Sequence, residues 1–169
     1  LSVFVKYGMI SDEKFYDRSL KYALLKGGDD KYSTIEEYKE KVKAAQTDKY
    51  DKIVMLYTNT PQEHDHLIEA CRNRGYDVLL FDNVIDNHFM QHLEMKLGDV
   101  TFVRVDSDTA DNLVQKDEKQ ESVLSEEEEN SVKTVFEGIV TEAGGTVMLK
   151  AMSPEDMPVQ ITRPEFMRR

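Results

Sequence analysis

The sequence predicts an α/β fold in which a small three-stranded parallel sheet with flanking helices is followed by an incomplete α+β C-terminal segment. Three short apolar runs, at residues 52–57, 76–81 and 100–105, have the β-branched and aromatic composition of buried strands. Apolar residues recur at helical spacing in the two intervals between them, residues 61–74 and 84–97. Strand–helix–strand units of this length close as parallel pairs with a right-handed crossover.

The first helix is expected at residues 12–25, with Ser11 and Asp12 as candidate N-caps. Its apolar face consists of Phe15, Tyr16, Leu20, Ala23 and Leu24. The glycines and aspartates at residues 27–30 predict a flexible loop after it. Ser33 and Glu36 have the spacing of a capping box, in which each side chain bonds a free backbone N–H at a helix start. A helix is therefore expected from there to about residue 45.

The helix at residues 61–74 is expected to begin at Pro61, which suits a first helical turn, and to end at Gly75. Leu67, Ile68 and Cys71 are predicted to face inward. Cys71 is the one cysteine of the chain, so no intrachain disulfide is possible. We interpret its thiol as a packed, half-buried group.

The helix at residues 84–97 has two faces of different character. Its predicted inward stripe is Ile85, Phe89, Leu93 and Leu97, and the residues off that stripe are Asn87, His88, Gln91 and Met95. A partly apolar outer face of this kind can contact extended, unfolded chains weakly. The residues alone favour an ordinary solvated face.

An acidic segment poor in apolar residues follows the third strand, and we interpret residues 109–124 as a linker. Ser125 and Glu128 form a second capping-box pattern, which predicts a helix to about residue 139. The acidic residues 126–129 would lie in its first turn, where negative charges interact favourably with the positive end of the helix dipole.

Beyond a turn at Gly144-Gly145, short strands are predicted at residues 146–151 and 158–161, paired as a hairpin. A further helix is expected to start at residues 162–165. Too few elements are present here to bury a full core, so we interpret residues 125–169 as the opening part of a further domain.

The chain has 169 residues and a formal net charge of −11. Such an acidic surface repels phosphate backbones and anionic lipid, so nucleic acid and membrane are poor partners. No apolar run approaches the roughly 20 residues of a membrane helix. The chain starts with Leu1-Ser2 and stops on two arginines, so we expect the natural protein to be longer at each end.

Asp82, Asp106 and Asp108 follow the second and third predicted strands, where ligands of open α/β sheets gather. Carboxylates at one sheet edge could hold Mg²⁺ for phosphotransfer or Toprim-like chemistry. The first strand, however, ends in Thr58-Asn59, with no carboxylate and no phosphate-gripping loop. The preferred interpretation is that these aspartates cap loops and helix starts.

The four histidines form two pairs, His64 with His66 and His88 with His92. His88 and His92 are four residues apart on a predicted helix and could share a Zn²⁺ ion. The intervening residues do not form the HExxH pattern, so we expect solvent-facing imidazoles instead.

Several stretches, in the same order, resemble the 90-kDa heat-shock chaperone family in its bacterial branch. They are KYGMISDEKFYDRSLKYALLK, KYSTIEEY, KIVMLYTN, GYDVLLFD, the ID and LE.KL elements of the helix at 84–97, FVRVDSDTADNLV and PVQITRPEFMRR. The resemblance covers nearly the whole chain.

The resemblance implies a layout and a function. Residues 1–30 would be a helical segment of the middle domain, 31–108 its small α/β subdomain, 109–124 the acidic linker and 125–169 the truncated start of the C-terminal dimerisation domain. ATP and Mg²⁺ would bind upstream in the parent, a cytoplasmic, homodimeric ATPase chaperone of protein folding and the stress response. This fragment would hold no cofactor and no catalytic residue. Its partners would be unfolded or partly folded client proteins and the parent's own N-terminal and C-terminal domains.

The resemblance also implies a client-binding site on the helix that follows the Ile85-Asp86 motif. The family often places an acidic residue and a large aromatic there, and these positions fall on Asn87 and His88, with Gln91 one turn on. The loss of the aromatic predicts weaker contact, since aromatics dominate contact energies. Because a histidine gains a proton below about pH 6.5, acid is expected to weaken the contact further. The remaining alternative is a structural spacer that binds nothing.

Overall fold

The computed structural model of the chain describes residues 2–116, 122–140, 144–154 and 156–164. Its helices and strands are α1 (Ser2–Ser11), α2 (Glu13–Ser19), β1 (Leu24–Lys26), β2 (Tyr32–Thr34), α3 (Ile35–Val42), β3 (Ile53–Thr58), α4 (Asp65–Asn73), β4 (Val78–Leu80), α5 (Asp86–Leu97), β5 (Val100–Arg104), α6 (Ala110–Leu113) and α7 (Glu126–Val140). The chain divides into two compact units, residues 1–117 with 159–169, and residues 118–158. None of the described helices is long and apolar enough to cross a lipid bilayer.

The central sheet has the strand order β4-β3-β5 with all strands parallel, which confirms the predicted three-stranded parallel sheet. In the register, Leu56 of β3 lies opposite Val78 on one side and Val103 on the other. All six residues of β3 are buried. A strand covered on both faces needs a continuous apolar run, which is why residues 52–57 show no polar alternation.

Successive residues of β3 point to opposite faces of the sheet and enter two separate apolar clusters. Met55 and Tyr57 join a cluster with side chains from α1, α2, α3 and α5. Val54 and Leu56 join a second cluster with side chains from α4 and α6. The sheet is therefore the middle layer of three.

The predicted helix at residues 12–25 is shorter than expected. Asp12 caps α2 by accepting a hydrogen bond from the Phe15 N–H at 2.8 Å, but α2 ends at Ser19 and a 3-10 turn follows at Leu20–Tyr22. Leu24 and Leu25 then enter β1, which pairs antiparallel with β2. The assignment of Leu24 to the apolar face of a helix was wrong, because in the strand Leu25 reaches the core while Leu24 is 55% exposed.

The capping box at the start of α3 is formed one residue later than predicted. Thr34 and Glu37 form it, with the Glu37 N–H 3.3 Å from the Thr34 hydroxyl and the Thr34 N–H 2.8 Å from the Glu37 carboxylate. Ser33 precedes the cap because β2 extends through Thr34, so that the helix starts only at Ile35. The hydrogen bonds from Thr34 lower the pKa of Glu37. The helix ends at Val42, short of residue 45.

The helix α4 packs in the second cluster. It starts at Asp65 rather than at Pro61 as predicted, because residues 61–64 form a turn. Ile68 and Cys71 face inward as predicted, with Cys71 fully rather than half-buried, whereas Leu67 is only half-buried. Gly75 ends this region with a left-handed φ of 75°.

The start of the acidic segment belongs to the core. Ala110, Leu113 and Val114 are buried in the second cluster, since α6 turns these few apolar residues towards the sheet. The backbone N–H of Arg163 also returns to this unit and donates to the Asp106 carbonyl at 2.8 Å.

The unit of residues 118–158 contains α7, which begins at the predicted capping box. The Ser125 N–H donates to the Glu128 carboxylate at 2.8 Å. The strands predicted at residues 146–151 and 158–161 are wrong for the described parts of those ranges, where the chain is irregular. Most of the helix expected from residue 162 falls on residues 165–169, outside the described ranges.

A fully buried side chain, Gln46, ties the end of the α3 region to the sheet. Its Nε2 donates to the Val54 carbonyl at 2.7 Å, and its Oε1 accepts from the Asp77 N–H at 2.6 Å. These two bonds connect β3 with the segment that leads into β4.

We predict that Gln46→Leu destabilises the protein, because two backbone groups at a buried site lose their partner at nearly constant side-chain volume. The expected loss in free energy of unfolding is roughly 2–6 kcal/mol, about 1–3 kcal/mol for each of the two groups. Urea denaturation measures it. The matched control Gln62→Leu, at an exposed position, should stay within about 0.5 kcal/mol of the parent. Equal effects of the two changes would contradict the prediction.

Candidate functional site

The candidate site lies on α5, which connects β4 to β5 and packs one side into the core. Phe89 and Leu93 are buried as predicted, and Met90 is buried with them, whereas Ile85 and Leu97 are only half-buried. The helix ends in front of a left-handed glycine at residue 98, whose N–H bonds a helix carbonyl at 3.1 Å. Core contacts therefore fix one side of α5, and the other remains at the surface.

The outer side of α5 brings the predicted site residues together. Asn87 and His88 are exposed and Gln91 is half-buried. Exposed apolar side chains extend the surface at both ends, since Val84, just before the helix, is 98% exposed and Met95 is 77% exposed. We call these five residues the outer row. At the rise of an α-helix, this row is roughly 16 Å long.

A buried carboxylate lies between Val84 and Asn87 of the outer row in the chain. Asp86 is 1% exposed, an uncommon position for an ionised group. Its Oδ2 accepts from the Asn83 N–H at 3.0 Å, and its Oδ1 accepts from Lys6 Nζ at 2.5 Å. Sequence analysis recognised Asp86 as a motif residue but missed Lys6. No local signal could identify Lys6, because 80 positions of chain separate the two residues.

His92 faces α2 rather than the outer row. Its ring packs edge-on against Tyr16, with 5.1 Å between centroids, and its Nε2 is buried with no hydrogen-bond partner among the described residues. Burial lowers the pKa of His92, the nearby Lys96 ammonium lowers it further, and Glu13 opposes both. The prediction of a solvent-facing imidazole is wrong for this histidine.

The carboxylates predicted for a Mg²⁺ site have other partners. Asp106 accepts two hydrogen bonds from the Arg104 guanidinium, each at 2.7 Å. Asp108 accepts from the Thr109 N–H at 2.7 Å, and Asp82 accepts from the Asn83 side chain at 2.8 Å. Within the described ranges no group of three His, Cys, Asp or Glu side chains is placed to hold a metal ion. This geometry favours the loop-capping interpretation.

His64 is a second histidine that does not face solvent. Its Nδ1 lies 2.8 Å from the Thr58 hydroxyl, and its Nε2 lies 3.7 Å from Asp106 Oδ2. The imidazole thus links the carboxyl ends of β3 and β5. Thr58 is fully buried, so this hydroxyl–imidazole–carboxylate arrangement does not present a nucleophile at the surface.

Burial of His92 predicts a loss of stability in mild acid. Because its pKa is lowered in the folded protein, the unfolded chain binds the proton first as the pH falls below the ordinary value of about 6.5. Stability is therefore complete above that pH and declines between it and the lowered pKa. Urea denaturation from pH 7.5 to 5.5 should show a smaller decline for His92→Phe than for the parent. Parallel pH profiles would contradict this assignment.

The family model described as Hsp90 protein matches residues 2–165. The chain is 40% identical over 172 residues to chaperone protein HtpG of Bacteroides fragilis strain YCH46. It is 38% identical to chaperone protein HtpG of Bacteroides thetaiotaomicron, over 172 residues, and of Porphyromonas gingivalis, over 173 residues. Each alignment covers 100% of this chain and 25% of the relative.

Among solved structures, the middle domain of a Plasmodium falciparum heat shock protein aligns with a TM-score of 0.47 and 18% identity, over 62% of this chain and 44% of that one. A similarity this low carries no argument, so the assignment depends on the family model and the bacterial relatives. The chain belongs to the Hsp90 protein family, and it spans about a quarter of the length of its HtpG relatives.

Proposed function

We propose that this chain is the client-contact and relay part of an ATP-dependent chaperone, and that it binds unfolded or partly folded proteins through the outer row of α5. The observation that carries the proposal is the outer row itself, an exposed polar surface with an apolar side chain at each end. Because the opposite side of α5 is buried in the core, the outer row is held in one orientation. Membership of the Hsp90 family supports a role as a chaperone.

The composition of the outer row suits weak, non-selective contact with extended chains. Full burial of an apolar side chain such as Val84 or Met95 contributes about 1.5–3 kcal/mol. Ordering of a flexible client opposes this gain. The net gain then corresponds to a dissociation constant of roughly a millimolar or weaker. The polar residues between the two ends supply hydrogen bonds to a client backbone without selecting its sequence. Contact of this strength allows the client to be released.

The relay function concerns the parent protein. ATP and Mg²⁺ would bind in an upstream N-terminal domain, and closure of that domain would move residues 1–108 and change how the outer row meets a client. Residues 115–124 would connect this part, together with the buried Ala110, Leu113 and Val114, to a C-terminal dimerisation domain that starts at residue 125. We expect the parent to be a cytoplasmic homodimer and the present chain to hydrolyse no ATP by itself.

An amide NMR titration of the 169-residue chain with a permanently unfolded model protein tests client contact. We expect the largest shift changes at Asn87, His88 and Gln91, because a client would cover these amides. The exposed His66 on α4 serves as an internal control and should shift little. Shifts that are no larger on the outer row than at His66 would contradict the proposal and identify the chain as a spacer.

His88→Trp is predicted to strengthen client binding, because a large aromatic adds contact area at the centre of the outer row. Burial of such a side chain in an interface is worth about 1 kcal/mol or more, so the affinity should rise about fivefold or more. Fluorescence anisotropy of the labelled model protein measures it. His66→Trp adds the same side chain at an exposed position on α4 and should have little effect. An equal gain for both variants would indicate general stickiness and contradict the site.

A further inference from the structure

The first turn of α5 lacks the usual side-chain cap. Its N-cap residue, Ile85, makes no side-chain hydrogen bond, although a helix start carries backbone N–H groups that need acceptors. Asp86 and Asn83 instead close the loop in front of the helix through reciprocal bonds. The Asp86 carboxylate accepts from the Asn83 N–H, and the Asp86 N–H donates to the Asn83 carbonyl, each at 3.0 Å. One carboxylate oxygen thus fixes the loop, and the other faces α1.

The group that faces this second oxygen is the Lys6 ammonium. The Lys6 side chain is 12% exposed and that of Asp86 is 2% exposed, so both charges are largely removed from water. The ammonium also lies 5.3 Å from the ring centroid of Phe81, just after β4, and 5.6 Å from that of Phe89 on α5. Ring faces attract a cation. Lys6 is therefore held by three contacts that join α1, the end of β4 and α5.

The two ends of α5 are attached to the preceding helices with different strength. At the far end Lys96 pairs with Glu13 of α2 at 2.5 Å, but the Glu13 side chain is 74% exposed. Exposed ion pairs of this kind contribute little to stability. Removing one partner of a buried pair leaves an uncompensated charge, which is costly. The position of α1 therefore determines that of the first turn of α5, which contains Asn87 and His88 of the outer row.

From this geometry we infer that Lys6 is a positioning residue for the outer row, and that α1 controls client contact through the Lys6–Asp86 pair. Asn87 and His88 directly follow Asp86 in the same turn. A displacement of α1 that moves or breaks the Lys6–Asp86 pair therefore changes how these two side chains are oriented towards a client. This inference rests on the proposed client contact and assigns its regulation to α1. Client affinity therefore depends on the position of α1.

The test uses the 169-residue chain with Lys6→Met, Lys6→Arg, Asp86→Asn and Lys6→Met/Asp86→Asn. Lys6→Met keeps the length of the stem and removes the charge, whereas Lys6→Arg keeps the charge. Lys96→Met is the matched control, since it removes an ion pair from the exposed end of the same helix. Amide hydrogen exchange, amide shifts and affinity for the unfolded model protein are measured under conditions where circular dichroism shows each variant to be folded.

We expect Lys6→Met to speed exchange at Phe89, Met90 and Gln91 about tenfold without changing exchange in β3. Client affinity should fall about fivefold. Lys6→Arg should restore both properties, and Lys96→Met should leave both within about twofold of the parent. The double variant should bind clients better than the product of the two single effects predicts, because the second change removes the unpaired charge.

The readouts separate failure of this inference from failure of the proposed function. If the parent chain binds the unfolded protein and Lys6→Met binds it equally well, Lys6 has no positioning role and the inference is overturned. If the single variants add independently in client affinity, it is overturned as well. If the parent chain does not bind, the proposed client contact fails, and exchange in α5 then reports only the structural coupling. If Lys6→Met does not fold, client affinity is compared between Lys6→Arg and the double variant. Weaker binding by the double variant supports the inference, and equal binding overturns it.

Discussion

The central strand β3 has all six side chains buried, so apolar cover must be supplied on both faces of the sheet. The helices α1, α2, α3 and α5 provide it on one face, and α4 and α6 provide it on the other. This requirement explains why α6 draws Leu113 and Val114 out of an otherwise acidic segment and into the core. It also explains why α5 presents its outer row away from the sheet, since its other face covers β3 and β5.

The buried Lys6–Asp86 pair joins α1 to α5, two of the helices that cover the sheet. A carboxylate at 1% exposure is tolerated because it accepts a backbone bond and a lysine bond together, in place of water. The same carboxylate begins α5 and precedes Asn87 and His88. The contact that joins α1 to α5 is therefore adjacent to the surface proposed to meet clients.

The carboxyl edge of the sheet illustrates the opposite outcome, in which polar residues serve structure. Asp106 pairs with Arg104 and lies close to His64, which in turn contacts Thr58. These contacts close the end of the sheet, where strand ends would otherwise leave polar groups without partners. Position at a sheet edge alone is therefore a weak indication of a ligand site, because neighbouring side chains decide whether a carboxylate remains available.

The sequence by itself determined the order of the three parallel strands along the chain, the helices between them and the exposure of Asn87 and His88. These features depend on the spacing of apolar residues within a few turns, which is a local property. Only the tertiary structure decided that Leu24 and Leu25 join a strand, that His92 and His64 turn inward, and that Lys6 reaches Asp86. His92, His64 and Lys6 each have a partner distant in the chain, and Leu24 and Leu25 pair with β2 across a turn. The spacing of apolar residues within a few turns reveals none of these partners.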